Sequence, residues 1–221
     1  AALLRMGWSG IGFELDSDSA AAARRRNDAA INERRYSVEN RDWLSAEALP
    51  TSESADLIIS CMVLEHLDES DESLYLQRCR ERLVPGGHGV LLVPGSPRDW
   101  GIEDEIAGHQ RRYTRERLVQ VLEQHGSRVG HIAGLTFPLS NWLLPLSNHL
   151  VSRAERHKMA LDPNARTRAS GRREVAGKTA FPPIAGVLLN EIAMYPAHLV
   201  QKWFRNTSRA LVLYVEFSWP Q

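Results

Sequence analysis

Short apolar runs alternate along the chain with segments whose apolar residues recur every three or four positions. The most informative run is ADLIISCMVLEHL at 55–67, where Leu57 to Ile59 precede small polar residues. A short apolar run bounded by acid and turn residues is typical of a strand buried on both faces of a parallel sheet. Ligands bind beyond the carboxyl ends of such strands, so a site is expected at Ser60, Cys61, Met62, Glu65 and His66. The start of a helix after a buried strand has the same appearance, and this alternative stays open.

The same alternation extends over the first 135 residues. Helices are predicted at about 19–27, 72–83 and 115–125, with strands at 8–14, 36–39, 89–93 and 128–135. In the second and third helices, apolar residues recur at spacings that place them on one face. They are Leu76, Cys79 and Leu83, then Leu118, Val121 and Leu122. Alternating strands and helices predict an α/β fold with a doubly wound, mostly parallel sheet.

The alternation stops after Leu135. Residues 137–151 and 181–204 are apolar but contain prolines, and residues 152–178 hold eight Lys/Arg against three Asp/Glu. A last strand is predicted at 210–217. We therefore expect a core at 1–135, a mainly helical or irregular basic insertion or lid at 136–209, and a last core strand within 210–221.

Composition changes this picture little. The 221 residues are 43% hydrophobic and 24% charged, as in ordinary soluble domains. The net charge is zero, although residues 1–150 carry 16 Lys/Arg against 22 Asp/Glu, which leaves residues 151–221 basic. Cys61 and Cys79 lack metal-ligand spacing, so we expect reduced thiols, no metal and a cytoplasmic location.

Several motifs together resemble the class I S-adenosylmethionine-dependent methyltransferases. They are Glu14, Asp42, DLIISCMVLEHL and LVPGGHGVLLVPGS, in that order. The chain is similar to the methyltransferase-domain group with a leucine-glutamate/histidine-histidine-leucine segment after strand four. Residues 104–126 add a GHxRRYT element found in part of that group. The resemblance covers about 1–135 and the last strand, and implies a Rossmann-like sheet with an antiparallel last strand.

The resemblance also implies S-adenosyl-L-methionine as cofactor and a set of residues that hold it. Glu14 would accept hydrogen bonds from the ribose hydroxyls, Asp42 from the adenine amino group, and neighbouring apolar side chains would cover the ring. The implied cofactor residues are Glu14, Leu15, Asp42, Trp43, Ser60 and Met62. Simpler roles compete with these: Glu14 as a capping acid, Asp42 as the start of a turn, and Met62 as core.

Two features depart from the family pattern. The glycine-rich loop and the strand before it should precede Ala1, so we expect an N-terminally truncated chain that lacks the first strand. Such a chain is expected to bind the cofactor weakly and to be inactive alone. The second departure is the insertion at 136–209, whose basic part would face an anionic acceptor, a membrane surface or only solvent. A peripheral membrane contact through 137–204 is therefore one of the expected options.

Methyl transfer to a hydroxyl or amine also requires removal of a proton, often by a histidine. His109 and His66 are the candidate bases, with a slight preference for His109. Both could instead have structural roles. His66 would bond to the backbone at a helix start, and His109 would join its loop to the following helix. Arg111, Arg112 and Tyr113 flank His109 and are expected to grip an acidic or sugar-like acceptor. The prediction is methyl transfer, on oxygen, to a small-molecule or glycan-type acceptor such as a nucleotide sugar.

Two other protein classes are alternatives to a methyltransferase. A nicotinamide-dependent Rossmann enzyme should carry a Tyr-x-x-x-Lys pair, which neither Tyr113 nor Tyr195 forms. A non-catalytic binding or scaffold protein on a decayed methyltransferase fold would fit a missing glycine loop but not the retained Glu14 and Asp42. Nucleic-acid methylation is disfavoured, because no Asn/Asp-Pro-Pro-Tyr motif follows the apolar run at 57–59.

Overall fold

The computed structural model describes residues 2–45, 54–162, 166 and 190–220. It consists of two compact units, Ala1–Ala55 and Asp56–Gln221. The predicted boundaries at 135 and 209 stay predictions. Most of the predicted basic stretch at 152–178, and the start of the apolar stretch at 181–204, lie outside the described residues.

The first unit is built around a parallel pair of short strands. Its elements are α1 (Ala2–Arg5), β1 (Gly10–Phe13), α2 (Ser17–Arg26), α3 (Asp28–Asn32) and β2 (Tyr36–Glu39). Gly10 lies opposite Tyr36, and Phe13 lies opposite Glu39. Asp16 is the N-cap of α2, because its carboxylate accepts a hydrogen bond from the Ser19 amide at 2.8 Å. Arg24 then donates to the Val38 carbonyl, which fixes α2 on β2.

The second unit contains a four-stranded sheet in the order β3-β4-β6-β5. Its strands are β3 (Ala55–Cys61), β4 (Leu83–Pro94), β5 (Arg128–Leu135) and β6 (Val212–Ser218). Its helices are α4 (Glu69–Arg82), α5 (Ile102–Ala107), α6 (Arg115–Gln124), α7 (Leu139–Glu155) and α8 (Glu191–Trp203), with 3₁₀ turns at Leu64–His66, Pro97–Asp99 and Arg156–Ala160. β6 runs antiparallel to both β4 and β5. The α/β fold with an antiparallel last strand is confirmed.

The predicted helix faces form the core of this sheet. Leu76 and Cys79 of α4 are fully buried, as are Leu118 and Leu122 of α6. They accompany Leu91, Val93, Leu213, Val215 and Phe217 from the two neighbouring strands β4 and β6. Periodic apolar positions therefore predicted which faces pack inward, except for Leu83. Leu83 was expected on α4 but is the partly buried first residue of β4.

Several boundaries differ from the predictions. α4 begins at Glu69 because Asp68 accepts a hydrogen bond from the Asp71 amide, one turn earlier than expected. β4 already starts at Leu83, six residues before the predicted strand at 89–93, so Pro85-Gly86-Gly87 is part of a strand. The last strand is Val212–Ser218, shifted from the predicted 210–217.

The described part of 136–209 is mostly helical. α7 contains Pro145 and α8 contains Pro196, which explains why the sequence pattern there looked interrupted. Among the described residues, no helix is long and apolar enough to cross a membrane.

Gly89 in β4 allows a close approach between two strands. A Cβ atom placed on Gly89 would lie 2.2 Å from the Phe217 ring, whereas one on Gly130 in β5 meets nothing nearer than 3.8 Å. We expect Gly89→Ala to lower the free energy of unfolding by about 1–3 kcal/mol, because the ring must shift within a packed core. Gly130→Ala should change it by roughly 0.5 kcal/mol or less. Urea unfolding followed by circular dichroism compares the two, and equal losses would contradict the explanation.

Candidate active site

The carboxyl end of β1 carries the first group of predicted residues. Glu14 follows the strand, and its Oε1 accepts a hydrogen bond from the Asp16 amide at 3.0 Å. Asn40, after β2, donates from Nδ2 to the carbonyls of Glu14 and Leu15 at 2.9 and 3.2 Å. Asn40 thus fixes the backbone that presents Glu14, a role that the sequence reading missed.

Asp42 and Trp43 lie beside this edge. The Asp42 Oδ1 atom accepts from the Leu44 amide at 2.8 Å, which makes a side-chain-supported turn. The Trp43 ring packs edge-on against Phe13, with ring centroids 4.8 Å apart. The first unit therefore brings Glu14, Leu15 and Trp43 to one edge of its sheet, while their part in cofactor binding stays a prediction.

In the second unit, three strands end at residues with left-handed backbone conformations. Met62 follows β3 (φ 55°), Ser96 follows β4 (φ 55°), and Thr136 follows β5 (φ 74°). Non-glycine residues rarely adopt this conformation, and such residues cluster at functional sites. Ser60 is buried within β3, and the Met62 amide donates to the Leu92 carbonyl at 2.9 Å. The carboxyl ends of these strands are thus the strained edge of the sheet.

The LEHL turn and the GHQRRYT loop are joined by backbone and amide contacts. The Gln110 amide donates to the Glu65 carbonyl at 2.7 Å. Its Nε2 donates to the His66 carbonyl at 3.0 Å. The two motifs that carried the resemblance are therefore neighbours in the folded unit, although they are more than forty residues apart in the chain.

Asp104, fully buried in α5, connects the residues around His109. Its Oδ1 accepts from His109 Nδ1 and Arg112 Nε, both at 2.8 Å. Its Oδ2 accepts from the Gly101 amide at 2.9 Å. Burial alone raises the pKa of this carboxyl, but the bonds from His109 and Arg112 outweigh it and lower the pKa to about 2. Asp104 is therefore ionised at neutral pH.

This bond determines what His109 can do. Because Nδ1 donates to Asp104, the neutral ring carries its lone pair on Nε2. The Nε2 atom lies 3.9 Å from Glu65 Oε1, and the His109 ring meets the His66 ring edge-on, with centroids 4.8 Å apart. The result is an oriented imidazole beside a second one, at the carboxyl end of β3.

Glu65 lies behind the two rings, fully buried, and neither of its carboxyl oxygens has a hydrogen-bond partner in the described part of the chain. Burial raises the pKa of Glu65 to about 8, and the charge of Asp104 adds to this effect. The Glu65 backbone and Arg112 act in the opposite direction. Glu65 is therefore largely uncharged at neutral pH.

Glu65, His66 and His109 also satisfy a loose condition for a metal site, since their ligand-type atoms lie within 4.8 Å of one another. Two ligands held about 2.1 Å from one zinc ion lie at most about 4.2 Å apart. The 4.8 Å limit is looser than this spacing, so the described geometry alone does not indicate a bound ion. The prediction of no metal stays a prediction.

The three residues that follow Gln110 differ in exposure. Tyr113 is fully buried; its hydroxyl donates to the Glu72 carboxylate and lies 3.2 Å from the Leu64 carbonyl. Arg112 is held by Asp104 and by the Gly95 carbonyl. Arg111 is partly exposed, with Nη1 3.5 Å from Glu72 Oε2. Tyr113 and Arg112 thus support the loop from within, contrary to the acceptor-facing positions expected for them.

Sequence reasoning named His66 and His109 but gave no role to Asp104 or Glu72. An acid five residues before a histidine is a weak signal, because the contact depends on how α5 ends. Gly108 adopts a left-handed conformation (φ 74°), which turns the chain back so that the His109 amide bonds to the Asp104 carbonyl. That turn is the local feature that could have indicated the pair.

The buried Glu65 carboxyl predicts a pH effect on stability. Its pKa is higher in the folded chain than the ordinary value of 4.5, so stability is full below about pH 4.5 and declines as the pH rises toward 8. We expect Glu65→Gln to abolish this decline and to be more stable than the wild type at pH 9, by on the order of a few kcal/mol. Thermal unfolding at pH 5 and pH 9 measures it. A difference between the two proteins that does not change with pH would contradict it.

The chain was compared with known proteins. A family model described as "Methyltransferase domain" matches residues 1–132. No curated protein matches significantly. Among solved structures, the glycopeptide N-methyltransferase MtfA complexed with S-adenosyl-L-methionine is 16% identical, with a TM-score of 0.51 over 99% of this chain and 75% of that one. The cyclase SpnF is 14% identical, with a TM-score of 0.54 over 96% and 67%.

The pyocyanin biosynthetic protein PhzM is 21% identical over 56% of this chain, with a TM-score of 0.44, and this chain spans 38% of its length. At these identities the structures of MtfA and SpnF show only the fold. The family model covers more than half of the chain, and it therefore shows the family. The protein therefore belongs to the methyltransferase-domain family, within the class I S-adenosylmethionine-dependent methyltransferases.

Proposed function

We propose that the protein transfers the methyl group of S-adenosylmethionine to a hydroxyl oxygen of a small-molecule or glycan-type acceptor, such as a nucleotide-linked sugar. The observation that carries this proposal is the 2.8 Å bond between His109 Nδ1 and Asp104 Oδ1, which leaves Nε2 as a base. The cofactor, when bound, supplies an electrophilic methyl group on a sulfonium ion. The protein's part is to hold both molecules and to accept the acceptor's proton.

The first unit offers groups that suit the adenosine half of the cofactor. Glu14 uses one oxygen to accept from the Asp16 amide, and its second oxygen can accept from ribose hydroxyls. Asp42 likewise commits Oδ1 to a turn and retains Oδ2 for the adenine amino group. Leu15 is exposed and Trp43 is partly exposed, so both can cover an apolar ring. The part of Ser60 and Met62 in cofactor binding stays what the resemblance implies.

In the proposed mechanism, His109 Nε2 would take the hydroxyl proton as the acceptor oxygen gains the methyl group. The bond from that methyl group to sulfur would break in the same step, and neutral S-adenosylhomocysteine would leave. The resulting imidazolium is stabilised at Nδ1 by the ionised Asp104, which Arg112 and Gly101 hold in place. A positioned base of this kind contributes roughly 10²–10⁴ in rate. His66, half-buried beside His109, is the second candidate for the same proton.

Acceptor binding is assigned to the exposed side of the same loop. Arg111 is partly exposed and can contact an acidic or sugar-like acceptor, although it also lies near Glu72. Arg112 and Tyr113 act as positioning residues, because their side chains are held by Asp104 and Glu72. The acceptor itself is proposed by chemical class only.

The base is tested by comparing His109→Ala with His131→Ala, which removes an exposed imidazole from β5. We expect His109→Ala to lower kcat/KM at least 100-fold while S-adenosylhomocysteine binding is unchanged, because the base is lost and no proposed cofactor contact is removed. Circular dichroism checks that the variant is folded, since it also loses the bond to the buried Asp104. His131→Ala should retain full activity. The assay measures S-adenosylhomocysteine release with a panel of nucleotide sugars.

Retention of activity in His109→Ala would transfer the base role to His66, which His66→Ala then tests. Asp104→Asn should lower kcat about 10-fold or more without weakening cofactor binding, because the ring loses its orientation and its counter-charge. A loss confined to KM would contradict a role in proton removal.

The cofactor assignment is tested by Glu14→Gln, with Glu33→Gln as the matched control. Glu33 is an acid of the same unit that pairs with Arg35. Loss of a charged acceptor to the ribose hydroxyls should weaken S-adenosylhomocysteine binding about 10- to 100-fold by calorimetry, while Glu33→Gln should bind as the wild type does. If the folded protein binds neither S-adenosylhomocysteine nor S-adenosylmethionine, a scaffold role replaces the proposal.

A further inference from the structure

An apolar stripe on α8 faces solvent. Ile192, Tyr195, Leu199 and Trp203 recur at intervals of three and four residues, which places them on one face of the helix. Their exposed fractions are 87, 58, 42 and 84%. Contiguous exposed apolar surface of this kind marks an interaction site.

The end of α8 is fixed against the start of α7. Phe204 packs edge-on against Phe137, with ring centroids 5.2 Å apart. Asn141 Nδ2 donates to the Arg209 carbonyl at 2.9 Å. Trp142, which follows Asn141 directly, is itself 76% exposed. Exposed aromatic side chains from both helices therefore lie in one region of the second unit.

Beyond Glu191, the first residue of α8, the charges in this region are positive. Between Ile192 and Arg209 the chain carries Lys202, Arg205 and Arg209 and no acidic residue. All three are exposed, and the Arg209 guanidinium lies 5.9 Å from the centre of the Phe137 ring. An apolar stripe with exposed tryptophans and adjoining cations is the composition of helices that lie in the surface of an anionic membrane.

We propose that α8, together with Trp142, rests on an anionic lipid surface, with the apolar stripe entering the headgroup region and the three cations facing the lipid phosphates. α8 has 13 residues, so at 1.5 Å per residue it is about 20 Å long and lies in the surface. A second copy of the chain is a poorer occupant. A two-fold interface would bring this cationic region against itself. The inference concerns a surface outside the proposed catalytic residues and does not depend on the methyl acceptor.

The test is co-sedimentation with vesicles, without cofactor or acceptor. The wild type should bind vesicles of phosphatidylglycerol and phosphatidylcholine at least tenfold better than vesicles of phosphatidylcholine alone, and 0.5 M salt should weaken this binding. Trp203→Glu should lower binding to both kinds of vesicle about tenfold or more. Lys202→Gln with Arg205→Gln should lower binding to the anionic vesicles alone, about fivefold for each charge.

Met6→Glu is the matched control, since Met6 is an exposed apolar residue of the first unit. It should bind as the wild type does, and circular dichroism should show that each variant is folded. Equal binding of wild type and Trp203→Glu would overturn the proposal. So would a wild type that ignores vesicles but forms a dimer in sedimentation velocity that Trp203→Glu dissociates, because the stripe would then contact a second copy.

Discussion

The site depends on one buried charge, the Asp104 carboxylate. A carboxylate without solvent is stable only when its oxygens are hydrogen-bonded and its charge is balanced. Asp104 meets this requirement through His109, Arg112 and the Gly101 amide. Removing one partner would leave a buried charge uncompensated. This explains why α5, His109 and Arg112 lie close together in the sequence. The contact that orients the imidazole is thus also one that holds α5 to the following loop.

The loop reaches the rest of the unit through a second buried acid. Tyr113 and Arg111 both approach Glu72 on α4, and Arg117 lies 3.8 Å from its other oxygen. Glu72 therefore contacts side chains of both the GHQRRYT loop and α6, which holds them against α4. Gln110 adds the backbone connection to the LEHL turn. The two acids thus have different roles. Asp104 orients the His109 ring, and Glu72 holds the loop that carries His109.

The fold was predictable where the spacing of apolar residues indicates which face of a helix packs inward. The inward faces of α4 and α6 follow from spacing, and their residues are buried as expected. The position of Tyr113 was not predictable, because its partner Glu72 lies 41 residues earlier and no local pattern links them. A polar residue in a loop motif resembles a ligand contact until that partner is known. The early start of β4 was missed for a related reason, since Pro85-Gly86-Gly87 is turn chemistry on its own.

The two carboxyl groups near His109 explain why one imidazole can act as the base. Two carboxylates in so small a buried volume repel each other, so the groups separate in pKa. Asp104 holds the charge because it receives the hydrogen bonds, and burial keeps Glu65 protonated at neutral pH. The uncharged Glu65 carboxyl therefore places no second negative charge beside Nε2, which lies 3.9 Å from its Oε1. Asp104 remains the carboxylate bonded to the ring, where it would balance the charge of the proposed imidazolium. In the described part of the chain no group donates a hydrogen bond to the Glu65 carboxyl, which favours its uncharged form.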